Sequence, residues 1–156
     1  MKGEDDMRNT LGVIIVLLTC LLILPCPKDV NGAEWKFFFK TYDGSVFFYD
    51  VQSINYLPYN TVQVFIETIP DDEESRVKHL ATLRKVNPKI PDNWLCTIRL
   101  CEINCKDRSF KILEIREYNA KSETVDRKSI ENPSSGYISP ESAIEALYKT
   151  VCVKKD

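Results

Sequence analysis

The sequence predicts an α+β fold, an antiparallel sheet followed by a C-terminal helix. Three observations predict it. Aromatic and β-branched runs alternate with polar turns from Trp35 to Ile130, two of those runs flank an Asp-Gly pair, and one amphipathic stripe with helical spacing closes the chain. At 156 residues and 18.0 kDa there is room for a single domain of ordinary size.

The chain opens on a targeting segment. Leu11 to Pro25 (LGVIIVLLTCLLILP) carries no charge over fifteen residues. As a helix it would span roughly 22 Å, short of the roughly 30 Å hydrocarbon core and suited to a signal-peptide h-region. Small residues follow at Asn31-Gly32-Ala33. Residues 1–33 are therefore predicted to be a signal peptide and residues 34–156 the mature domain. Cleavage after Gly32 places Val30 at the −3 position, and cleavage after Ala33 places Asn31 there. Glu4, Asp5 and Asp6 outweigh Lys2 and Arg8, whereas a start at Met7 gives the positive n-region that export signals need. Met7 is the expected start. Cys20 follows Thr19 and Cys26 follows Pro25, so neither sits in a lipoprotein acylation signal. An uncleaved membrane anchor is the alternative; after cleavage no stable membrane span is expected.

In the mature domain, Trp35–Tyr42 and Ser45–Val51 read as strands joined at Asp43-Gly44, a pair that tolerates the positive φ of a tight primed turn. Phe37, Phe38 and Phe39 cannot all face one core, so either both sheet faces are covered there or an aromatic surface is left for a partner. Asn55–Asn60 is turn material around Pro58, and Thr61–Ile69 is a third strand with Val62, Val64 and Ile66 on one face. From Glu74 to Val86 the spacing of Val77, Leu80, Ala81 and Arg84 fits a short amphipathic helix, with a mobile charged excursion as the alternative. Trp94–Cys105 and Phe110–Tyr118 form a second hairpin. Alternation puts Cys101, Ile103 and Cys105 on one face and Cys96, Ile98 and Leu100 on the other. Thr124–Ile130 is a weaker edge strand. A loop (ENPSSGYISP) then leads to a helix with Ser139 as N-cap, Pro140 at N1, Glu141 in the first turn, and an apolar stripe of Ile144, Leu147, Tyr148 and Val151 ending at Cys152. That makes six strands and one late helix.

Composition and spacing exclude several functions. The 21 Lys and Arg against 23 Asp and Glu give no basic excess, and Lys36 and Lys40 alone interleave the aromatics of residues 35–49. No nucleic-acid partner is expected. The chain has a single histidine, His79, read as a solvated helix or loop residue. There is no Gly-rich phosphate loop, no G-x-S-x-G elbow, and no histidine at a motif spacing from a carboxylate. Asp50, Glu114 and Glu117 are read as surface carboxylates. The protein is expected not to be an enzyme and to take no cofactor. Cys96-x4-Cys101-x3-Cys105…Cys152 lacks the tight Cys-x2-Cys turn of a zinc ribbon, so no metal site is expected. In an oxidising compartment these four cysteines are disulfide candidates. Cys101 and Cys105, four apart on a strand, lie roughly 13 Å apart and cannot bond each other.

Several stretches carry a family resemblance: Glu34-Trp35 with the Asp-Gly turn and FFYDVQSI including Asp50 and Ser53; EINCKDRSFKILEI with Asn104, Cys105 and Arg108; and ISPESAIEALYKTVC with Pro140, Ser142, Val151 and Cys152. Together they resemble the bacterial surface-adhesin protein E family over nearly all of the mature chain. The resemblance implies a six-stranded antiparallel sheet with the C-terminal helix held on one face by a disulfide, carried over by position to Cys105 and Cys152. Cys101–Cys152 is the rival pairing, since Cys101 shares a face with Cys105. Cys96 and Cys101 look like additions to the family pattern, either free or paired outside the domain, and the lipoprotein-type anchor is absent. The function implied is an exported, non-catalytic binding module of the envelope or cell surface, with extracellular-matrix or other macromolecular ligands as partners. The alternative is a periplasmic structural or assembly domain without a host ligand. Weak homodimerisation through the first hairpin is a lesser expectation.

Overall fold

The structure, a computed structural model, describes residues 32–153. The signal-peptide expectation for residues 1–33, the Met7 start, Cys20 and Cys26 lie outside the described residues, save for the last two positions of that segment. Strands β1 (Trp35–Lys40), β2 (Ser45–Asp50), β4 (Thr61–Pro70), β5 (Trp94–Asn104), β6 (Ser109–Asn119) and β7 (Thr124–Ser129) form one antiparallel sheet in the order β1-β2-β4-β5-β6-β7. These are the six strands expected, but the sheet has eight. Strand β3 (Asn55–Leu57) pairs with β4, and β8 (Gly136–Tyr137) pairs with β6.

The extra strands arise because β4 and β6 outrun their main neighbours. Strand β2 pairs with β4 from Ser45↔Pro70 to Tyr49↔Ile66, and then leaves it through a 3-10 turn at Val51–Ser53. The chain re-enters beside the other end of β4, matching Asn55 to Gln63 and Leu57 to Thr61. The expected turn at Asn55–Asn60 is therefore half strand. At β8 the chain lies against Ser109 and Phe110, and a Cβ on Gly136 would sit 2.8 Å from the Phe110 ring. Only glycine fits.

The Asp43-Gly44 hairpin forms with a longer loop than the expected two-residue turn. Thr41 N–H donates to the Ser45 carbonyl at 2.9 Å, leaving Tyr42, Asp43 and Gly44 in the loop. Gly44 has a φ of +82°, the left-handed residue that a three-residue hairpin loop requires. A Cβ there would fall 2.0 Å from Ser75 Oγ, so the site is closed to other residues by space as well as by backbone.

The principal core lies on one face of the sheet. Val62, Val64, Ile66, Cys101 and Ile103 are buried there under α2 (Ala143–Val151), whose Leu147 and Val151 are buried with them and whose Ile144 and Tyr148 pack alongside. The stripe matches the sequence expectation, but the cap does not. Ser142, not Ser139, is the N-cap, its hydroxyl accepting from Glu145 N–H at 3.1 Å. Glu141 takes a φ of +59°, so Pro140 and Glu141 belong to the approach and not to the first turn. The Glu145 carboxylate reaches back to Glu141 N–H at 2.9 Å, one residue beyond a capping box.

Helix α1 (Glu73–Val86) forms with Asp72 as N-cap, which removes the mobile-excursion alternative. Of the expected stripe only Leu80 is buried. Leu80 and Leu83 pack with Ile90, Trp94 and Val125, while Val77 is 53% exposed and Ala81 faces water. Leu80 and Leu83 are one helical turn apart and so share a face. Across the sheet, Cys96, Ile98 and Tyr118 form a second cluster with Trp35, Phe65, Ile69 and Leu95. The three phenylalanines divide: Phe38 packs against the principal core, Phe37 is 60% exposed, and a register shift lets Phe39 meet Phe47 edge-on.

Cys105 and Cys152 are joined by a disulfide, with Cα atoms 5.5 Å apart and a sequence separation of 47. Cys101, the rival partner, is a free and buried thiol. Cys96 is fully buried in the second cluster and is not a free thiol. A loop of that length is worth about 4 kcal/mol in chain entropy. Cys152→Ala is thus expected to remove about 4 kcal/mol, a large part of a small domain's stability, and to lower the melting temperature sharply. Calorimetry of the variant, with non-reducing peptide mapping of the parent, checks both bond and magnitude; unchanged melting would mean that packing alone seats α2.

Candidate binding surface

The carboxylates read as surface groups belong instead to the scaffold. Asp50 is fully buried, and its Oδ1 accepts from Glu34 N–H at 2.9 Å and Gln52 N–H at 3.0 Å, capping the 3-10 turn. Ser53 Oγ donates to the Asp50 carbonyl and accepts from Phe65 N–H, which ties that turn to β4. Glu117 is buried and accepts from Trp94 Nε1 at 2.8 Å and Thr97 Oγ1 at 2.6 Å; burial pushes its carboxyl up. Glu114 is half-buried between Arg116 and Arg127. His79 is not a solvated residue. It is half-buried, stacked on Trp94 with centroids 6.0 Å apart, its Nε2 3.5 Å from Ser45 Oγ.

The Asn104-Cys105-x-x-Arg108 run holds the β5–β6 turn to α2. Asn104 Oδ1 accepts from Lys106 and Asp107 N–H, both at 3.0 Å. Arg108, with a φ of +49°, lays its guanidinium 4.7 Å above the Tyr148 ring and donates to Glu145. Tyr148 hydroxyl donates to the Cys105 carbonyl at 3.3 Å. Cys101 sits below in the core, and burial pushes its thiol up to about 12.

Beside the disulfide an open cleft of about 690 Å³ separates the β3–β4 turn from the end of α2. Tyr56, Leu57, Asn60, Thr61 and Val62 line one side, and Thr150 to Val153 with Cys105 line the other. Tyr56 is 69% exposed, with its hydroxyl donating to the Val151 carbonyl at 3.4 Å. Tyr59 is 90% exposed and, like Asn60, has positive φ. The sequence predicts only a proline turn here. The aromatic spacing in NYLPYN was the available signal, but what places Tyr56 at the cleft is the pairing of β3. Among the described residues no three His, Cys, Asp or Glu side chains converge in a way that could hold a metal ion. Nor, among them, is any helix long and apolar enough to cross a membrane.

An antiparallel β-sheet bearing one disulfide-tethered C-terminal helix defines a class of small α+β domains. The sequence profile of surface-adhesin protein E matches residues 35–153, and the chain belongs to that family. Among solved structures, crystal form II of Haemophilus influenzae protein E is similar at a TM-score of 0.52 and 14% identity, over 83% of this chain and 94% of that one. A second structure of the Haemophilus influenzae protein gives 0.49 and 13%, over 83% and 90%. At 14% identity the likeness to crystal form II shows the fold alone. No curated protein sequence matches the chain.

One buried carboxylate is poorly served. Glu67 lies on β4 between Phe48 and Ile98, its Oε1 unpartnered among the described residues, and burial pushes its pKa up to about 7 from 4.5. A raised carboxyl pKa leaves stability complete below pH 4.5 and withdraws it as pH climbs through about 7. Glu67→Gln is expected to melt close to the parent at pH 4.5 and several degrees above it at pH 8. Parallel melts across that range check the sign; a constant offset would mean that Glu67 does not titrate.

Proposed function

We propose that the protein is exported, loses residues 1–33, and acts at the envelope or cell surface as a non-catalytic binding module for a macromolecular ligand. One observation carries this reading. Phe37, Tyr56, Tyr59 and Tyr137 stand largely in water. Large rings left in water on loops and strand ends are the residues that binding surfaces use, since they supply contact area at low entropic cost. Family membership supports an adhesin-like surface role. Ser45, Asp50, His79 and Glu117, the residues nearest to catalytic chemistry, hold turns and the Trp94 indole in place. Self-association through β1, the terminal strand of the sheet order, is the lesser part of the proposal.

Intact cells treated with protease are expected to lose the protein without permeabilisation. Protection until the outer membrane is opened would favour a periplasmic structural domain. The intact mass is expected to match a chain beginning within a residue or two of Ala33; a mass that includes Leu11 to Pro25 would overturn cleavage. A monomeric sedimentation profile at high micromolar concentration would remove the dimer.

A further inference from the structure

We draw no further inference here: the strongest candidate, the apolar sheet face opposite α2, where Ile98 and Tyr118 are buried with Trp35, Phe65 and Ile69 packed against them, carries nothing because nothing among the described residues shows what covers it.

Discussion

A nine-residue helix is too short to hold its shape alone, yet α2 must cover the most apolar face of the sheet. Val62, Val64, Ile66 and Ile103 stay dry only while Leu147 and Val151 are pressed on them. The seat is therefore fastened at both ends. Ser142 and Glu145 fix the first turn, Arg108 clamps Glu145 and Tyr148, and the Cys105 bond and the Tyr56 hydroxyl hold the last turn. The cleft inherits its shape from this fastening, because Cys105, Val151 and Cys152 form one of its walls.

The long strands were legible because each alternates over enough residues for one face to be buried and the other partnered. Strands β3 and β8 have three and two residues, too few for any period to show, and exist only because β4 and β6 offer unpaired edges. The α2 stripe was legible, but its cap was not. Ser139 and Ser142 are both chemically able, and the positive φ at Glu141 decides between them. In α1 the apolar residues are sparse, so Val77 and Ala81 were as good companions for Leu80 as Leu83 until Ile90 and Trp94 were in place. Asp50 and Glu117 look like any surface carboxylate in one dimension. Their burial follows from partners 16 and 23 residues away. The cleft was illegible for the same reason as β3, whose pairing builds it.

The residues that carry the family resemblance are mostly fasteners. Asp50 and Ser53 bind the 3-10 turn to β4, Asn104 and Arg108 shape the β5–β6 turn, and Ser142 and Cys152 end α2. Such contacts define a scaffold and say little about what is bound. This fits a protein whose fold is shared with Haemophilus influenzae protein E at 14% identity. The exposed rings of Tyr56, Tyr59 and Tyr137 lie outside those fasteners, although the Tyr56 hydroxyl touches one end of α2.

Cys101 gives this architecture a built-in clock. Its thiol is sealed beneath α2 with its proton held by burial, so an alkylating reagent has no thiolate to meet while the sheet is closed. Labelling then proceeds only as fast as the core opens, and its rate counts openings of the layer between helix and sheet. The same sealing sets an order of events during oxidative maturation. Once β5 has zipped onto β4 at Val64↔Cys101, that sulfur leaves the pool of exchangeable thiols. An early zipper steers Cys152 to Cys105; a late one leaves Cys101 in competition with it.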